Sequence, residues 1–156
     1  MSFIDKFRSI REIEEEVNTN LFWICGGVAL IIMIMKMVEF FSRGLFSPAN
    51  MSLLYLGILI IYSLHKELIR WIGIGKRKIE RQGEYFVYAW IGFTTLLYII
   101  NFLSKNYFSY TPQGEPLDTL ESLSIISIEV LAIFILTRCL KVLRISFEKK
   151  KQAKRS

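Results

Sequence analysis

The sequence is short of the residues that carry most metal and thiol chemistry. It holds one histidine, two cysteines and three prolines in 156 residues. A structural zinc site draws its ligands from several cysteines and histidines. Here His65 is the only histidine, and Cys25 and Cys139 form no C-x-x-C pair. Each cysteine lies inside an apolar run, where a thiol behaves as a small hydrophobe. Neither a disulfide framework nor thiol–redox chemistry is expected. No serine–histidine arrangement or metal-ligand pair accompanies His65, Lys66 and Glu67, so the chain reads as non-enzymatic, without cofactor or metal. Alternating polarity is also missing from the apolar segments, which argues against a β-barrel.

What the chain does have is separation of classes. Hydrophobic residues make up 53% and aromatics 14%, yet 22% of residues are charged. A soluble domain mixes these along each element, whereas here long apolar runs alternate with short charged clusters. Four runs, at about 21–41, 48–71, 84–103 and 120–143, are long enough to cross a hydrocarbon core of about 30 Å at about 1.5 Å per residue. A buried soluble bundle would be left with little polar surface. Ser47 and Pro48 are spaced as cap and first residue of the second helix. Asp118 and Glu121 have the capping-box spacing at the start of the fourth. The fold class is therefore all-α: a polytopic membrane protein, a four-transmembrane-helix bundle with an amphipathic N-terminal helix and a basic C-terminal tail. Its parts are 1–19, 20–143 and 144–156. In outline, four spans with a carboxylate in the last, the chain is similar to the proteolipid ring subunit of vacuolar-type ATPases. Those chains are rich in Gly and Ala, while this one has nine Gly and 12 Phe, so the resemblance ends at outline.

Charge sets the expected orientation. All of the 20 basic residues except Lys36, Arg43 and Lys105 fall before the first span, from the end of the second to the start of the third, or at the end of the fourth and beyond. The positive-inside rule then places both termini and the middle connection in the cytoplasm of a multi-pass cytoplasmic (inner) membrane protein. Residues 1–20 are polar and include Glu12, Glu14, Glu15 and Glu16, so a cleaved signal peptide is not expected. In the N-terminal segment Phe3, Phe7, Ile10, Ile13 and Val17 recur at helical spacing, an apolar stripe suited to the membrane interface or to a partner. The clusters Lys76, Arg77, Lys78 and Lys149, Lys150, Lys151 suit anionic headgroups. No aromatics are interleaved with the tail's basic residues to stack bases, so nucleic acid is not an expected partner.

Glu129 is the residue that most needs a reason. It falls near the middle of the fourth span, where an ionised carboxylate costs roughly 2.5–3.5 kcal/mol. Lys36, in the outer half of the first span, lies at a comparable depth, and Glu39 follows it on the same face. Glu129 can pair with Lys36, meet a partner subunit, or bind and relay protons or cations. Thr94, Thr95, Asn101, Ser124 and Ser127 read as interhelical hydrogen-bonding groups. His65, Lys66 and Glu67 read as a cluster at the cytoplasmic interface. The expected function is an accessory or scaffold subunit of a membrane complex, bound to other membrane subunits or to itself. The alternative is a small oligomeric ion-coupled transporter or channel built on Glu129.

Overall fold

Pro48, Pro112 and Pro116 all stand in connections, which leaves the apolar runs free of the one residue that breaks a helix outright. In an apolar medium such runs must satisfy their backbone groups internally, and helix does so within one segment. The computed structural model describes the backbone of residues 3–48, 51–72 and 82–153, and the side chains of 12–48, 51–71 and 83–147. Among them the chain forms four helices and no strand: α1 Phe3–Phe41, α2 Ser52–Ile72, α3 Gln82–Leu103 and α4 Thr119–Ala153. All four are long and apolar enough to cross a membrane.

At about 1.5 Å per residue, α2 and α3, of 21 and 22 residues, roughly match a bilayer core of about 30 Å. The other two exceed it. With 39 and 35 residues, α1 and α4 run to about 58 and 52 Å. The N-terminal segment is thus no separate helix: α1 passes through residues 19–21 without a break, and α4 carries the basic tail as helix to Ala153.

Consecutive helices are antiparallel. Between α3 and α4, Thr94 meets Ser127 at 2.8 Å, Tyr98 meets Ser124 at 2.9 Å, and Arg138 pairs with Glu84. The steps along one helix mirror those along the other. Between α1 and α2, His65 reaches Glu14 at 2.9 Å and Phe22 packs near Tyr62 with ring centroids 6.1 Å apart. One end of the bundle, the loop end, carries 42–48 and 104–118. The other holds the start of α1 and the end of α4 and is called the terminal end.

The bundle axis is filled by one stripe from each helix. From α1 come Cys25, Ala29, Ile32 and Phe40; from α2, Tyr55, Leu59 and Tyr62; from α3, Phe86, Trp90 and Leu97; from α4, Leu123, Ile126 and Val130. The steps of three, four or their sums are those of a packed helical seam. The opposite faces leave Leu53 and Phe102 each 78% exposed and Trp23 70% exposed, an apolar exterior that suits lipid.

The start of α2 differs from expectation. Pro48 lies outside the helix, which begins at Ser52, and Tyr55 N–H donates to Met51 O at 3.1 Å. Ser47 does not cap α2; its hydroxyl donates to Glu39 Oε1 at 3.3 Å instead. The helix that ends, α1, claims Ser47 because its buried carboxylate needs a donor. The chain leaves α1 through Arg43 and Gly44, at φ 54° and 79°. The positive φ at Gly44 is one that L side chains rarely adopt, so glycine suits the backbone there, and a Cβ would also press to 2.9 Å on the mobile end of Leu117. The 104–118 connection holds a short 3-10 turn at Tyr107–Ser109 and a bridge from Tyr110 to Pro116.

Candidate functional site

Two polar sites stand at opposite ends of the apolar core. The larger is a cleft of about 320 Å³ near the loop end. Lys36 and Glu39 reach it from α1, Ser47 and Pro48 from the connection, Ser52, Leu53 and Leu56 from α2, and Ser122, Ile125, Ile126 and Glu129 from α4. The three residues singled out from the sequence therefore share one cavity. Their pairing is different from the one sequence suggested. Lys36 Nζ donates to Glu39 Oε2 at 2.8 Å, and no hydrogen bond or ion pair joins Lys36 to Glu129. Proximity within one helix decides this: residues three apart on α1 face each other across one turn. Glu129, on another helix, lies about 15 Å along α4 from Thr119, whereas Lys36 is only about 8 Å from the end of α1. Glu39 is itself buried, at 7% exposure, and holds both Lys36 and Ser47.

The second site is at the terminal end, where His65, Lys66 and Glu67 were read as one cluster. Successive helical residues are turned by about 100°, and the three separate accordingly. His65 faces α1 and meets Glu14. Lys66 lies over the Tyr62 ring, 5.9 Å from its centroid. Glu67 turns inward, 5% exposed, and pairs with Arg70. A small cavity of about 40 Å³, bordered by Tyr62, Glu67, Arg70, Phe86 and Arg138, adjoins it. Tyr62 Oη, Glu67 Oε2, His65 Nδ1 and both side-chain atoms of Asn18 are buried here without a partner in the protein. Of these, Tyr62 and Glu67 line the cavity, which has room for ordered water to take up their free atoms. Ser63 also borders this cavity, with no hydrogen bond joining it to His65, and among the described residues no acidic, Cys and His side chains group to hold a metal ion.

Of the interhelical groups expected from sequence, Thr94, Ser124 and Ser127 bond between α3 and α4. Asn101 turns instead to the loop, donating to Asn106 Oδ1 at 3.2 Å and Ser109 Oγ at 2.8 Å. Thr95 points outward. In the amphipathic stripe Ile13 and Val17 are exposed, while the next turn presents Asn18 to the core, fully buried. The side chains of Phe3, Phe7 and Ile10 lie outside the described residues, as do those of Lys149, Lys150 and Lys151 and the whole of Lys76, Arg77 and Lys78.

Three roles were missed. Arg43 donates from Nε to Tyr110 O and from Nη2 to Thr111 O, each at 2.8 Å, and lies 4.3 Å from the Tyr107 ring centroid. It ties the two loops together. Trp90 Nε1 donates to Tyr55 Oη at 2.7 Å in the core. Asn18, with no motif to single it out, is fully buried in the core. The only advance signal was that Arg43 is one of three cations outside the basic clusters.

No protein-family model matches this chain, and neither a curated protein nor a solved structure does.

Proposed function

We propose that the chain is a non-enzymatic integral membrane protein that serves as an accessory or scaffold subunit of a membrane complex. In this reading the bilayer surrounds the four apolar helices, the N-terminal stripe, carried on the same continuous helix as the first span, stands against a partner, and the termini face the cytoplasm. Lys76, Arg77, Lys78, Lys149, Lys150 and Lys151 then meet anionic headgroups.

One observation carries the reading. The axis between the two polar sites is closed by fully packed side chains, with Tyr55, Tyr62, Trp90, Leu97 and Leu123 all at 1% exposure or less. A chain filled in this way serves poorly as a pore but well as a rigid part. Its long helices, α1 and α4, extend past the bilayer length at the same end and so offer a helical platform there. Purification of the tagged full chain from its native membrane in mild detergent, with mass spectrometry of what elutes, tests this. A stoichiometric partner is expected; a clean homo-oligomer or monomer would overturn it.

A second reading, a small ion-coupled transporter, is favoured by Glu129 standing unpaired in the cleft. Its test is flux in proteoliposomes, which Glu129→Gln must abolish.

A further inference from the structure

The loop-end cleft is uneven in charge. Of its three ionisable groups, Lys36 and Glu39 neutralise each other at 2.8 Å, and the second oxygen of Glu39 takes the Ser47 hydroxyl. Glu129 is left over. Its carboxylate lines the cavity without a hydrogen bond or ion pair to any described residue, on a helix that crosses the apolar zone. The cavity is thus a negative site with a neutral polar rim.

Its walls narrow the ligand further. Leu53 and Leu56 stand on one side and Ile125 and Ile126 on another. A volume of about 320 Å³ falls in the range of small-molecule pockets, roughly 300–1,000 Å³. A hard divalent cation calls for several oxygen ligands at once, whereas the described residues gather no cluster of acids, Cys and His that could hold a metal. An anion would be repelled by Glu129 and would find Lys36 already engaged. A proton alone needs no cavity of this volume. What fits is a single positive charge on an apolar body.

We propose that the cleft between α1, α2 and α4 binds a small monovalent organic cation of the alkylammonium class, with Glu129 as its counter-charge. The apolar body packs between Leu53 and Leu56 of α2 and Ile125 and Ile126 of α4, with its charge at Glu129. Lys36 is not a ligand. It holds Glu39, and its charge opposes the cation.

The test is equilibrium binding of tetraethylammonium to the full chain in phosphatidylcholine nanodiscs. Saturable binding of one cation per chain is expected. Glu129→Gln should weaken it at least tenfold, while Glu129→Asp keeps most of it. Lys36→Met gives the sign: it removes the opposing charge and frees Glu39, so binding should tighten. No saturable binding to the wild type, unchanged affinity in Glu129→Gln, or loss of binding in Lys36→Met would each overturn the proposal. Should Glu129→Gln fail to fold, Ile125→Trp fills the cleft from a position that is 49% exposed and accepts bulk. Binding that survives Ile125→Trp also overturns it. The proposal shares its site with the transport reading but asks only for binding. Binding without flux defeats transport alone, and absent binding defeats this proposal.

Discussion

Trp90 and Tyr55 show what holds a bundle whose exterior is as apolar as its core. Both are fully buried, and the indole N–H donates to the phenol oxygen at 2.7 Å. Burying leucine against leucine gains little between helices already surrounded by lipid, so close packing and polar contacts between helices carry the association. Tyr55→Phe keeps the ring and orphans the indole N–H. The expected loss is about 0.6 kcal/mol, the average for such bonds in membranes, and at most about 1.7 kcal/mol. It is read as a lower thermal unfolding midpoint in detergent. In a Trp90→Phe background the same change should cost clearly less, because coupled partners are not additive; equal losses would show that the bond is idle. The same reasoning bears on Lys36. Sequence placed Lys36, Glu39 and Glu129 at related depths, and the cleft does gather them. The distances then make Glu39 the partner of Lys36. A double-mutant cycle should therefore show strong coupling of Lys36→Met with Glu39→Gln and weak coupling with Glu129→Gln.

Helices and loops obey different rules of legibility. The extent of α3 and the far end of α2 matched the spans read from the sequence. The break between an interfacial helix and the first span did not appear, since nothing near residue 20 stops a helix: no proline and no glycine intervene before Gly26. α2 begins at Ser52 rather than at Pro48, and Ser47 bonds Glu39 instead of capping it. No local pattern announces a tertiary claim of that kind. Arg43 makes the clearest case. It clamps the carbonyls of Tyr110 and Thr111, more than sixty residues away in sequence. Arg43→Ala should release the 104–118 loop while leaving the helices intact. Hydrogen exchange at the amides of Thr111 and Leu117, which bond to Glu115 O and Ser109 O, is expected to quicken by about tenfold. Arg43→Lys should rescue only part, since an ammonium lacks the guanidinium's planar fork. Unchanged exchange in Arg43→Ala would show that the loop holds itself.

Taken whole, the molecule joins a uniform apolar exterior to two unlike ends. The loop end has Arg43 and Lys105 as its basic residues beyond the helix spans, while the remaining clusters belong to the terminal end and the connection between α2 and α3. Under the proposed orientation Lys105, exposed on the loop between α3 and α4, faces away from the cytoplasm. A Lys105→Cys variant with Cys25 and Cys139 replaced by alanine should react with an impermeant maleimide on intact spheroplasts. Labelling only after lysis would reverse the topology.

Run length and composition were enough to establish an all-helical chain with four membrane-length segments, because apolar backbone has few ways to satisfy itself. Spacing on one helix was enough to bring Lys36 and Glu39 onto one face. Partners on different helices were beyond its reach. Whether Glu129 meets Lys36 or an open cleft, which way Asn18 turns, and that Arg43 bridges two loops all depend on helix rotation and register. Those are settled by the simultaneous packing of Tyr55, Tyr62, Phe86 and Trp90 in one core, and no single segment contains that information.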